Sequence, residues 1–140
     1  MKKLFFSLFV LLLLGTSNIA SAACAYMNVH NSGASVAVNG SSDVYGPFSI
    51  SCLGVVSFTF EDLSGNNPTS TINHLIERMV GGSWQVVSQT TSYGQRSVTR
   101  TFFPTATGSY RYRIVNSGQS VVRNWRMEGR IPLFTIPGAR

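Results

Sequence analysis

Beyond residue 23 the chain is built of short runs in which apolar and polar residues alternate, separated by clusters of Gly, Ser, Asn and Pro. A period of two places successive side chains on opposite faces, the pattern of a half-buried strand. Runs at 24–30, 35–38, 45–52, 55–61, 72–80, 84–89, 96–103, 110–115 and 121–128 read this way. In 55–61, Val56, Phe58 and Phe60 share one face while Ser57, Thr59 and Glu61 share the other. Gly81-Gly82-Ser83 joins its flanking runs as a hairpin turn, and Asn39-Gly40 is another hairpin-type dipeptide. Asn116-Ser117-Gly118-Gln119 predicts a second hairpin that makes 110–115 and 121–128 neighbours. Residues 73–79 also fit a helix; the β-branched ends and the Gly-Gly turn decide for a strand. Residues 64–68 are a loop by composition, and the apolar tail 131–137, with Pro132 and Pro137, fits only an edge strand or an extended segment. The expected fold is all-β: one antiparallel sandwich.

The first 22 residues follow another logic. Met1-Lys2-Lys3 is a cationic start, residues 4–14 are apolar except for Ser7, and Ala20-Ser21-Ala22 offers small residues for cleavage. This is the plan of a secretory signal peptide, of bacterial type. The apolar run is too short for the ~20 residues that span a bilayer. Cleavage after residue 22 or 23 leaves a single domain over 23–140 with no transmembrane segment, secreted to the extracellular space or periplasm. In that oxidising setting the two cysteines, Cys24 and Cys52, are expected to form a disulfide. Closing such a loop stabilises by about 3–4 kcal/mol. Lipid attachment at Cys24 is the alternative, although Ser21 stands where lipoprotein signals usually carry Leu.

Thr107-Gly108-Ser109-Tyr110-Arg111-Tyr112 resembles the tyrosine corner of immunoglobulin-like sandwiches. The resemblance implies an immunoglobulin-like β-sandwich, a Tyr110 hydroxyl bonded to backbone a few residues upstream, and an inward Tyr112. Two features depart from it. The disulfide would not join two central strands, and 72–80 lacks a core Trp. What carries over is architecture, because this sandwich hosts many unrelated functions.

Composition then narrows the function. Charged residues are only 11% of the chain and hydrophobic ones 44%, with 13 Gly and 5 Pro, which excludes a disordered tail, a collagen-like repeat or a coiled coil. Nucleophilic or carboxylate catalysis finds little to work with. His30 and His74 are the only imidazoles, and the usual hydrolase, metalloprotease and phosphate-loop motifs are absent. On a strand, His74 and Glu77 fall on opposite faces, and Glu61-Asp62 reads as a solvated turn. No enzyme, metal centre or cofactor is expected.

Both lysines leave with the signal, so residues 23–140 carry nine arginines against five acids, a net charge of +4. Residues 23–77 hold four of the acids and no arginine; residues 78–140 hold nine arginines and Glu128. Arg111 and Arg113 share a face opposite Tyr110 and Tyr112, while Arg126 and Arg130 alternate with Trp125 and Met127 around Glu128. Arg96 and Arg100 share theirs with Val98 and Phe102. With the second hairpin in place, Arg111, Arg113, Arg126 and Arg130 converge into a binding site for an anionic partner. Guanidinium suits bidentate capture of carboxylate or phosphate. The expected function is a small secreted binding module without catalysis, whose ligand is an anionic surface polymer or lipid head group. Nucleic acid is disfavoured, because export separates the protein from it and no reading motif appears. The alternative is a self-assembling extracellular fibre subunit, pairing through the charge-free run 55–60, through the tail, or head to tail between the oppositely charged halves. A third reading, a secreted antimicrobial or toxin, lacks the cationic amphipathic helix it calls for.

Overall fold

Alternation becomes burial along the strands. In the computed structural model, which describes residues 23–65 and 68–137, β1 runs Cys24–Gly33, β2 Ser41–Ile50, β3 Val56–Asp62 and β4 Thr71–Val80. β5 runs Ser83–Tyr93, β6 Ser97–Phe102, β7 Gly108–Asn116 and β8 Trp125–Thr135. The expected signal peptide, residues 1–22, lies outside the described residues. Val56, Phe58 and Phe60 of β3 are buried, as are Tyr110, Tyr112 and Ile114 of β7. β4 turns into β5 over Gly81 and Gly82 at φ 58° and 83°, as a two-residue hairpin with positive φ at both positions requires. Residues 73–79 are therefore strand.

Two four-stranded antiparallel sheets face each other, ordered β1-β8-β3-β6 and β2-β7-β4-β5. The chain changes sheet at every connection except β4 to β5. This interleaving is the layout of an eight-stranded jelly roll, two Greek keys folded face to face. The sandwich is the one the alternation predicts; its strand order departs from the immunoglobulin layout. There the last two strands share a sheet, whereas β7 and β8 lie in opposite sheets.

Asn116 explains why the second hairpin does not form. Its buried amide donates to the carbonyls of Val36 at 3.2 Å and Ser120 at 2.7 Å, and its oxygen accepts from the Gly118 backbone at 3.1 Å. Ser117 and Gly118 then donate to the Thr71 carbonyl, and Val122 bridges to Val36. The segment is thereby carried across the end of the sandwich, and the last strand begins at Trp125, later than expected. The Asn39-Gly40 turn likewise leads from β1 in one sheet to β2 in the other.

Between the sheets, Phe58 stacks on Tyr112 with centroids 5.0 Å apart, and Phe60 on Trp125 at 5.9 Å. Tyr110 donates its hydroxyl to the Ala106 carbonyl at 2.5 Å, the bond that the tyrosine-corner resemblance implies. Cys24 and Cys52 are joined in a disulfide, Cα to Cα 5.7 Å. Beyond Arg130, β8 pairs only with β1, so Pro132 interrupts no second ladder. Among the described residues no helix is long and apolar enough to cross a membrane.

Candidate functional site

The four arginines expected to converge are placed back to back. Arg111 and Arg113 stand on the outer face of β2-β7-β4-β5; Arg126 and Arg130 stand on the outer face of β1-β8-β3-β6. The cause is the crossing at Asn116, which sends β8 to the other sheet. On the first face, Arg111 donates to Glu77 and, at 3.2 Å, to Asp43, and lies over the Trp84 ring at 4.5 Å. Arg113 approaches Asp43 at 3.9 Å and donates to Ser41 at 2.6 Å. On the second, Arg126 donates to Glu61 at 2.7 Å, which holds the Glu61 carboxyl below its ordinary range. Arg130 stacks on Tyr26 at 4.0 Å.

Each face thus carries two of the four arginines against two acids, Asp43 and Glu77 on the first and Glu61 and Glu128 on the second, where Arg96 also acts on Glu61. The charge dipole along the sequence vanishes on folding, because acid-bearing β2, β3 and β4 pair with arginine-bearing β7 and β8. No concentrated basic patch results on either face.

One imidazole–hydroxyl cluster lies in the core. His74 lies between the Tyr112 hydroxyl, 2.6 Å from Nδ1, and the Ser92 hydroxyl, 2.8 Å from Nε2. All three residues are buried. Burial, helped by the nearby Arg100 charge, pushes the His74 pKa down to about 4, and burial raises that of the Tyr112 phenol. The trio is a polar strut inside the core. His30 is exposed on β1, as expected.

Asp62 is not the solvated turn residue expected. It is fully buried, accepting from the Ser64 backbone at 2.9 Å, from the Ser64 hydroxyl and from the Ser70 hydroxyl at 2.5 Å. Burying a carboxylate is tolerable with that many donors, and the result pins the β3–β4 connection. A hollow of about 450 Å³ beside it is lined by Ser64, Thr69, Ser120 and Arg123 among others. Its hydroxyls are already engaged: Thr69 with Ser120 at 2.6 Å, Ser64 with the Arg123 backbone at 2.7 Å. Among the described residues no group of three or more His, Cys, Asp or Glu is arranged to hold a metal.

The sheet edges differ more than the faces do. β1 and β2 lie over each other along one margin; β5 and β6 form the other. An unpaired edge exposes a row of N–H and C=O groups, which proteins blunt with charge, proline, bulges or shortness. β1 carries a register shift between Cys24 and Tyr26 and is tied by the disulfide. β2 contains Pro47 and two register shifts. β6 spans only six residues and points Arg100 inward. β5 has eleven residues, Ser83 to Tyr93, with no charge, proline or glycine and one bulge at Val87. Val86, Val87 and Tyr93 on it are exposed, Tyr93 by 72%.

Arg100 faces this margin. It shares the inner side of β6 with Val98 and Phe102, and its Nη2 donates to the β5 hydroxyl of Ser88 at 3.4 Å. Its Nε is buried without a partner, and burial lowers its pKa. The β5 edge was invisible to strand-by-strand reading, because edge status depends on topology. One signal points to it: from Arg78 to Arg96 the chain has no charged residue between.

Fold and margin together define a disulfide-bonded jelly-roll sandwich whose β5 edge is longer and less protected than those of β1, β2 and β6. No protein-family model matches the chain, and no curated protein matches it. Among solved structures, the crystal structure of Yersinia pseudotuberculosis-derived mitogen (YPM) is similar, with 11% sequence identity and a TM-score of 0.49. The match covers 84% of this chain and 94% of that one. At that score the likeness carries no inference about fold or function.

Proposed function

We propose that the protein is an exported, non-catalytic binding module that takes up an extended segment of a partner protein by strand addition along β5. The observation that carries this reading is the β5 edge itself: long, uncharged, partly apolar, and unpaired on one side among the described residues. Strand addition draws affinity from main-chain hydrogen bonds and specificity from alternate side chains. The signal-like first 22 residues and the disulfide support an extracytoplasmic setting. A rigid, disulfide-tied sandwich suits a pre-organised edge.

Three competing premises fail. An anionic polymer or lipid surface needs Arg111, Arg113, Arg126 and Arg130 on one patch, and they are split between two opposite faces. Fibre assembly through residues 55–60 needs a free edge, whereas β3 is paired on both sides, with β8 and β6. Head-to-tail contact between charged halves fails because the halves are interleaved.

Amide hydrogen exchange tests the proposal. A ten-residue Ser/Thr/Val peptide is expected to slow exchange in β5 and leave β1, β2 and β6 unchanged. The same peptide N-methylated at alternate residues lacks the donors for a ladder and is expected to give no protection. Equal protection by both, or none by either, overturns strand addition at β5.

A further inference from the structure

Arg100 gives the added strand a chemical requirement. Its guanidinium is drawn into the margin between the sheets, with Nε buried and unpartnered and one long hydrogen bond to Ser88. A half-buried cation with a buried, unpartnered Nε and no carboxylate beside it carries a desolvation cost that an incoming acid would relieve. The chain keeps its own acids elsewhere. Asp43 and Glu77 hold Arg111, Glu61 holds Arg126, Asp62 is enclosed by serines, and Glu128 lies on the outer face of β8.

Building on the strand-addition reading, we propose that the partner segment carries an aspartate or glutamate whose side chain points inward opposite Ser88 and pairs with Arg100. The geometry fits. Directly opposed residues on antiparallel strands have Cβ atoms about 4.5–5.5 Å apart. A carboxylate on the residue facing Ser88 is therefore within reach of a guanidinium nitrogen already 3.4 Å from the Ser88 hydroxyl.

The same residue argues against a second copy as the occupant. β5 contains no acid, so pairing β5 with β5 offers Arg100 no counter-charge and brings two guanidinium groups to one margin. An inward charge of this kind deters self-association at an edge. It also rewards a strand that brings the opposite charge.

Fluorescence anisotropy with three labelled ten-residue Ser/Thr/Val peptides tests this, differing only at the central residue: Glu, Gln or Lys. The Glu peptide is expected to bind roughly tenfold or more tighter than the Gln peptide at low salt, given the coupling measured for close charge pairs. The Lys peptide is expected to be weakest. Arg100→Gln should erase the Glu preference while the Gln peptide still binds; Arg100→Lys should keep part of it. Equal affinity for Glu and Gln peptides, or a preference that survives Arg100→Gln, overturns the acidic requirement while leaving strand addition standing. Failure of all three peptides to bind overturns both.

Discussion

Along one margin of the sandwich β1 lies over β2, and the sheets are linked by the Cys24–Cys52 disulfide, by the Asn31 amide donating to the Val44 carbonyl at 2.6 Å, and by the Ser51 hydroxyl donating to the Leu133 carbonyl. Along the other, β5 faces β6 and the link is the 3.4 Å hydrogen bond from Arg100 to Ser88. The interiors differ in the same sense. Val29, Val44, Phe48 and Ile50 line the first half; His74, Ser88, Ser92 and Arg100 stand in the second. The polar side chains of the second half are buried in part by pairing with one another, His74 between the Tyr112 and Ser92 hydroxyls. A polar, uncapped margin beside an uncharged edge is what an incoming strand needs. The linked margin supplies the stability that lets the other stay unfilled.

Opening the linked margin should have the largest effect. Cys24→Ala with Cys52→Ala removes a cross-link spanning 28 residues of sequence. The expected loss is about 3–4 kcal/mol, read as a lower urea midpoint with a steeper slope as the unfolded chain expands. A loss below about 1 kcal/mol would mean that the margin is held by packing and hydrogen bonds, and the contrast between the two sides would collapse.

Alternation is a local property, which is why the strands were readable. The faces of β3 and β7, the Gly81-Gly82 hairpin and the disulfide all follow from residues close together or from a choice of one pair. Which sheet a strand joins is not local. Residues 110–115 and 121–128 looked like a hairpin because Asn and Gly favour turns, yet the Asn116 side chain bonds to Val36, 80 positions away. From that one crossing came the misplaced basic patch. Asp62 misled for a related reason: its donors, Ser64 and Ser70, come from the connection that folds back over it. An arginine on an apolar face was visible in Val98, Arg100 and Phe102; its neighbour Ser88 was not.

Acid should weaken the polar half next. His74 has a folded-state pKa of about 4, below its ordinary 6.5, so folding favours the neutral ring. As pH falls from 6.5 towards 4, the unfolded chain takes up a proton that the folded chain refuses, and stability declines with it. The full span is roughly 3 kcal/mol at 1.36 kcal/mol per pKa step. Glu61, held low by Arg126, loses its contribution only below about pH 4.5, which leaves the upper part of the window to the histidine. Urea midpoints between pH 7 and 5 should drop in the wild type and stay nearly level in His74→Gln. Matching slopes for both proteins would detach the acid response from the core trio.

The smallest change in stability is expected at Arg100 itself, and it separates two roles that one residue can combine. If the guanidinium were a strut between β5 and β6, Arg100→Met would cost about 2 kcal/mol or more, as loss of a buried charged hydrogen bond does. The unpartnered Nε and the 3.4 Å bond to Ser88 argue otherwise. Replacing a poorly paired, half-buried charge with an apolar chain of similar volume is often neutral or mildly favourable, so urea unfolding should shift by less than about 1 kcal/mol. The larger consequence should be association. Without the inward cation, the uncharged β5 edge loses its deterrent, and sedimentation velocity of Arg100→Met should show a concentration-dependent dimer absent from the wild type. A second readout follows from proximity: the Arg100 charge helps depress His74, so its removal should move the His74 titration upward in a proton NMR series. A variant that stays monomeric at every concentration, with His74 unmoved, would show that the charge is too distant from either the edge or the core to act on them. The β5/β6 margin would then differ from the β1/β2 margin only in lacking a cross-link.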